Sequence, residues 1–180
     1  HHTDSIVKGF CHINVSGTGM SDLGELTIMP ATGKLMTGAG TQNNHMAGYS
    51  SLYYKDKEHA SVGYYKVHLE RYDIDVELTA TERVGLHKYR FPQSDQSRVI
   101  IDLGEGSADR PTETYLKKIN DTLFQGHRFS SGWARDQREY FSLIISKPVD
   151  DFILYDRHKK FKGEERKGDY VKGFLEFSTK

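Results

Sequence analysis

The chain has 180 residues, enough for one domain with a proper core, and its 25 Lys plus Arg balance 25 Asp plus Glu. Neither half carries a charge excess of the kind a polyanion binder needs. A hydrophobic fraction of 36% with 11 Tyr, 9 Phe and 1 Trp excludes a disordered chain, and no run approaches the roughly 20 apolar residues of a membrane span. The lone Cys11 removes disulfide frameworks and thiolate zinc sites, and by composition it reads as a small buried hydrophobe. No basic-then-apolar leader is visible in residues 1–30, and His1 and His2 are set aside because a tag stub has the same form.

In chain order, the first informative stretch is Gly9 to Asp22. Its glycines permit close backbone approach to a ligand, while His12, Asn14, Ser16, Thr18 and Asp22 crowd hydrogen-bonding groups together. A polar-ligand loop and a plain turn between strands both fit; a dinucleotide fingerprint and a phosphate loop do not, because the third glycine and the Gly-Lys-Ser/Thr are missing. Residues 30–60 hold many Gly, Asn and Ser with little alternation, which predicts a long mobile or functional loop.

After residue 60 strand signals dominate. Tyr65, Val67 and Leu69 alternate with Tyr64, Lys66, His68 and Glu70, and Ile74, Val76 and Leu78 with Asp73, Asp75 and Glu77, which predicts a half-buried hairpin. Further strands are expected at 85–91, 98–103, 124–130, 139–145, 152–155 and 170–177, each bounded by Pro, Gly, Asp or Asn. Residues 111–122 fit a short helix or a strand. Around nine strands without a 3.6-residue apolar period predict an all-β chain, a large antiparallel β-sandwich, as a single domain over 1–180.

Five constellations bear on chemistry. Asp73, Asp75 and Glu77 share one strand face as glycosidase carboxylates do, but their apolar opposite face makes them a solvated surface. The basic run from Arg157 to Lys167 reads as a solvated hairpin tip, with an anion site as the alternative. Asp102 to Asp109 lacks the alternating acids of a calcium loop, and the Asn14 and Asn120 sequons carry no weight without a known host. Trp133 sits in a Ser/Gly turn near Arg135, Gln137 and Arg138, where it either stacks on a sugar ring or belongs to the core.

Read together, these stretches resemble the N-terminal domain of glycoside hydrolase family 92, the calcium-dependent exo-acting α-mannosidases. The resemblance rests on Gly9-Phe-Cys-His-Ile-Asn-Val-Ser-Gly-Thr-Gly19, Asp22-Leu-Gly-Glu-Leu-Thr-Ile-Met-Pro30, Glu58-His-Ala-Ser-Val-Gly-Tyr-Tyr65 and Val76-Glu-Leu-Thr-Ala-Thr-Glu-Arg-Val-Gly85. It continues through His87-Lys-Tyr-Arg-Phe-Pro92, Ile100-Ile-Asp-Leu-Gly104 and Ser131-Gly-Trp133 with Tyr140-Phe141, collinear over nearly the whole chain. Where the family commonly has Ser and a second His, this chain has Cys11 and Asn14.

The resemblance implies a supersandwich-like β-domain packed on a larger (α/α) barrel, in an inverting enzyme that removes terminal mannose from α-mannosides, with α-1,2 or related linkages expected. It implies that the catalytic carboxylates and the Ca2+ ligands belong to the barrel, so that no catalytic or metal residue is expected here and the 180-residue chain alone is expected to be inactive. It places His12, Asn14, Ser16, Gly17, Thr18, Gly19 and Trp133 on one wall of the sugar pocket at the domain interface. The partners implied are the barrel and α-mannoside glycans, without nucleic acid or membrane, in a bacterial periplasmic or secreted setting. A free-standing carbohydrate-binding module and a purely structural scaffold are the alternative readings.

Overall fold

The computed structural model describes residues 5–11, 26–41, 43–105 and 109–180. Within them the chain forms β1 (Ile6–Val7), β2 (Thr27–Thr32), β3 (Ser51–Leu52), β4 (His59–Ser61), β5 (Tyr64–Leu69), β6 (Ile74–Ala80), β7 (Gly85–Arg90), β8 (Ser97–Asp102), β9 (Arg110–Lys118), β10 (Leu123–Ser131), β11 (Gln137–Ile144), β12 (Asp151–Asp156), β13 (Lys159–Phe161), β14 (Glu165–Gly168) and β15 (Val171–Phe177). The only helical elements among the described residues are two single 3-10 turns, His45–Ala47 and Lys55–Lys57. The chain is all-β, as its alternation predicted, and every strand pairing is antiparallel. Residues 111–122, open to helix or strand by spacing, are taken mostly by β9, which buries Thr114 and Leu116 from alternate positions.

Three sheets stack in layers. The five-stranded sheet β13-β12-β15-β8-β2 lies between a sheet β4-β5-β6-β7 and a sheet β11-β10-β9-β14; β1 and β3 form a separate small ribbon. The middle position is visible in the burial of β8, where all six residues are inaccessible, and in the two cores its alternate faces serve. Met29, Ile100 and Phe174 join Val67, Leu69, Ile74 and Val76 of the β4–β7 layer, while Ile28, Val99, Ile101 and Leu175 join Leu116 and Phe124 of the β9–β11 layer. Each of these side chains, fully buried, contributes about 1.5–3 kcal/mol relative to exposure. A strand buried on both faces reads as a continuous apolar run and a one-sided strand as an alternation; β8 (Ser-Arg-Val-Ile-Ile-Asp) and β11 show the two patterns.

Three ion pairs lie inside the stack. Arg98 meets Glu176 at 2.7 Å and Lys172 meets Asp102 at 2.7 Å on the side of β8 and β15 that faces β4–β7. Arg128 of β10 holds Asp109 with two bonds of 2.7 and 3.0 Å and donates to the Leu103 carbonyl at 2.9 Å, which ties the outer sheet to the loop after β8. Buried charges survive only when paired and further hydrogen-bonded, and Asp102 meets that condition by also accepting from Tyr49, Gly104 and Glu105.

Two expectations need correction. The described part of residues 30–60 is anchored: the Arg71 guanidinium donates to the carbonyls of Gly48 and Ser50, the Tyr72 hydroxyl donates to the Tyr49 carbonyl at 2.8 Å, and Tyr49 and Tyr53 are buried. Low alternation there reflects isolated anchoring side chains instead of a solvated loop. The Arg157–Lys167 run is more than a hairpin tip. Its β13 pairs with β12 in the middle sheet and its β14 with β9 in the outer one, so the segment crosses between layers.

Candidate functional site at the start of the Gly-rich run

Gly9 has φ +156°, and a Cβ there would come within 2.3 Å of the Thr27 methyl, so this close approach requires glycine. Phe10 is thereby laid against β2, exchanging two backbone hydrogen bonds with Ile28 at 2.8 and 2.9 Å, and its buried ring stands edge-on to His87 at 6.5 Å. The chain then passes Cys11. The expected pocket residues His12, Asn14, Ser16, Gly17, Thr18 and Gly19, with Asp22, lie outside the described residues.

Cys11 is only partly buried, against the small-hydrophobe expectation, and lines a shallow pocket. That pocket has a volume of about 390 Å³, with Ser61, Tyr64, Tyr65, Leu78 and Thr79 around Cys11. Cys11 thus meets residues from 60–65 and 78–80 where the Gly-rich run begins. Sequence reasoning treated Tyr64 and Tyr65 as hairpin residues; the Gly-Tyr-Tyr break ahead of the alternation was the available signal.

The polar groups beside this pocket are held in fixed pairs. The Tyr65 hydroxyl donates to Glu58 at 2.8 Å and the Tyr64 hydroxyl to Glu77 at 2.8 Å, while Thr79 donates to the Gly63 carbonyl at 2.6 Å. Burial, reinforced by Glu58, pushes the Tyr65 phenol well up. Lys55 holds the Glu58 carboxyl below its ordinary range, and Lys88 followed by Tyr64 does the same for Glu77. Both carboxylates therefore stay ionised, whereas a general acid needs its pKa raised. They serve here as hydrogen-bond acceptors that orient the two tyrosines.

Trp133 is in a different layer, on the connection between β10 and β11, and is 73% exposed. The core alternative for this residue is thus excluded. The structure does not bring it to the Cys11 pocket, whose described lining comes from β4, β5 and β6 and their turns. Asp75 and Glu77 are indeed surface residues of β6, paired with His68 at 2.9 Å and Lys88 at 2.9 Å, but Asp73 belongs to the turn before the strand, with φ 52°.

The described residues do not fit a calcium ion: no three His, Cys, Asp or Glu side chains converge among them. Of the Asp102–Asp109 stretch, both terminal acids are consumed internally, Asp102 by Lys172 and Asp109 by Arg128. No described helix is long and apolar enough to cross a membrane.

Comparison with known proteins adds identity to this geometry. The α-mannosidase BT3965 of family GH92 from Bacteroides thetaiotaomicron, in complex with mannoimidazole, superposes with a TM-score of 0.95 at 29% identity, covering 99% of this chain and 24% of that one. A second structure of BT3965 gives 0.93 at 30% identity over 97% of this chain and 25% of that one. The inverting mannosidase BT2199 of the same organism, strain VPI-5482, shares the fold, with a TM-score of 0.81 at 22% identity over 99% of this chain and 23% of that one. This chain thus spans about a quarter of the length of the solved chains it matches. No curated protein matches it in sequence. The glycosyl hydrolase family 92 N-terminal domain matches residues 1–180 throughout, and the chain belongs to that family.

Proposed function

We propose that this chain is the N-terminal domain of an inverting, exo-acting α-mannosidase and forms one wall of its sugar pocket against a larger (α/α) barrel. The observation that carries the reading is the match of the whole chain to a mannosidase solved with a mannose-like ligand, of which it covers only 24%. The Cys11 pocket supports it, because three of the motif stretches that resemble the family converge there. In this reading His12, Asn14, Ser16 and Thr18 exchange hydrogen bonds with sugar hydroxyls, while Gly17 and Gly19 let the backbone come close. Trp133 offers an apolar ring face to a sugar.

Inversion needs an acid and a base carboxylate about 6.5–9.5 Å apart with a water between them. Glu58 and Glu77 are held ionised by fixed partners, which does not suit the acid, and the resemblance assigns the acid, the base and any calcium to the barrel. The test is mannose release from α-mannosides by the full-length polypeptide. His12→Ala or Thr18→Ala should lower kcat/KM at least tenfold, and the 180-residue chain alone should release nothing. Unchanged turnover in the pocket variants, or calcium-dependent release by the chain alone, would overturn the reading. A surface polar all round, on a chain that binds sugar tightly by itself, would instead favour a free-standing binding module.

A further inference from the structure

The solvent face of the β11-β10-β9-β14 sheet carries a row of rings. Strand register sets Lys167 opposite Tyr115, Tyr115 opposite His127, and His127 opposite Tyr140. The rings of Tyr115 and His127 stack at 5.3 Å, and those of His127 and Phe129 at 4.4 Å with 16° between planes. Tyr140 is 68% exposed and stands edge-on to Phe129 at 5.4 Å. The next row pairs Gln125 with Ser142, and the Gln125 amide donates to the Ser142 hydroxyl at 3.0 Å. Between Tyr115, Gln125, His127, Tyr140 and Ser142 lies an open groove of about 410 Å³.

We infer that this groove binds a neutral pyranose of a glycan, stacked against the tyrosine rings with its hydroxyls on Gln125 and Ser142. Charge complementarity selects that ligand. The carboxylates framing the groove are already engaged: Glu113 with Lys167 at 2.8 Å and with the His127 ring at 3.0 Å, and Glu165 with Lys117 at 3.6 Å and with the Tyr115 hydroxyl, which donates to it at 2.5 Å. The pairing with Glu113 fixes the His127 ring in its stack. What is left for a ligand is aromatic surface, one amide oxygen and N–H, and two hydroxyls, which suits the C–H face and hydroxyl edge of a sugar and offers nothing to an anion or a cation. The groove is open and shallow, lined by rings and neutral polar groups, which is the surface a stacked sugar needs. The choice of mannose as the sugar rests on the function proposed above; the groove itself does not.

The test is calorimetric titration of the chain, and of the full-length polypeptide, with mannobiose isomers and with cellobiose, with amide shift mapping by NMR. Saturable binding that moves the amides of Gly126, His127 and Ser142 is expected, weakened about fivefold to tenfold by Tyr140→Ala and by Gln125→Ala at unchanged melting temperature. Tyr140-dependent binding of cellobiose alone would support the groove and count against the mannose reading. Absence of sugar binding, shifts confined to Tyr64 and Thr79, or binding by the chain that vanishes in the full-length polypeptide would overturn the inference, the last by making the face an interdomain contact. Mannose release persisting alongside any of these would reject the groove and leave the proposed enzyme standing.

Discussion

The two outer sheets are built alike on their inner faces and differently on their solvent faces. In the β4–β7 layer the outward rows are charge ladders: Lys66 opposite Glu77 opposite Lys88, and His68 opposite Asp75 opposite Arg90. In the β9–β11 layer the corresponding rows are Lys167, Tyr115, His127 and Tyr140, and Glu165, Lys117, Gln125 and Ser142, charged at the β14 end and aromatic or neutral toward β11. A cross-strand ladder of alternating sign satisfies itself and presents a hydrated face, whereas a row of rings leaves apolar surface in water at a cost that packing inside the domain does not recover. The comparison teaches that strand register, which places each residue of a row, separates a face meant for solvent from one with surface to spare. The β4–β7 layer has its pocket at the strand ends instead, beside Cys11.

The sharpest way to break this comparison is at the anchor of the aromatic layer. Arg128→Met leaves Asp109 buried without its partner and should cost about 3–5 kcal/mol in urea denaturation, while the double change with Asp109→Leu should recover most of that loss. A small loss for Arg128→Met alone would mean that the layer is held by packing only. Next come the two inner faces, which should respond equally. Ile74→Ala in one layer and Leu116→Ala in the other, both fully buried, should each cost about 2–5 kcal/mol.

Acid provides the third probe. Burial works against ionisation of Asp109, but the hydrogen bonds from Arg128 and Ser130 outweigh it and hold the carboxyl below its ordinary range. A depressed folded pKa contributes stability that is present above the unfolded value of about 3.9 and lost as pH falls through the folded one. Unfolding free energy should therefore drop below about pH 4, and Asp109→Asn should flatten that drop while lowering stability at neutral pH. The smallest effects belong to the solvent faces. Glu77→Gln should lower stability only slightly, and less in high salt, since its Lys88 partner is largely exposed. Tyr140→Ala should change stability by no more than about 0.5 kcal/mol, because the ring is 68% exposed. A large loss there would show that the ring holds the sheet together.

Much of the fold was readable before any coordinates. The alternations ending at Leu69 and starting at Ile74 became β5 and β6, and the predicted runs at 85–91, 98–103, 124–130, 139–145, 152–155 and 170–177 all became strands within a few residues. The segment of β9 fits helix and strand alike by spacing, while the strands that escaped, β2 and β14 among them, lack the period-2 signal for identifiable reasons. Four of the six β2 residues are buried, so nothing alternates, and β14 is a short edge strand of mostly charged residues. The candidate site was legible as motifs, but its geometry was not, because Cys11, Tyr64 and Thr79 are neighbours only through the pairing of β5 with β6 and the bridge between Phe10 and Ile28.

The sequence by itself determined the all-β class and the family, since residue-by-residue alternation and collinear motifs are local properties of the chain. Only the tertiary structure decided the layering. Whether Val99 and Ile100 belong to one core or to two depends on what packs against each face of β8, and no local pattern encodes that. The same holds for Trp133, equally at home by composition in a core or on a surface, which the β10–β11 connection carries into solvent. Register likewise aligned Tyr115, His127 and Tyr140 into one row, because residues 25 positions apart become neighbours only when hydrogen bonds set three strands side by side.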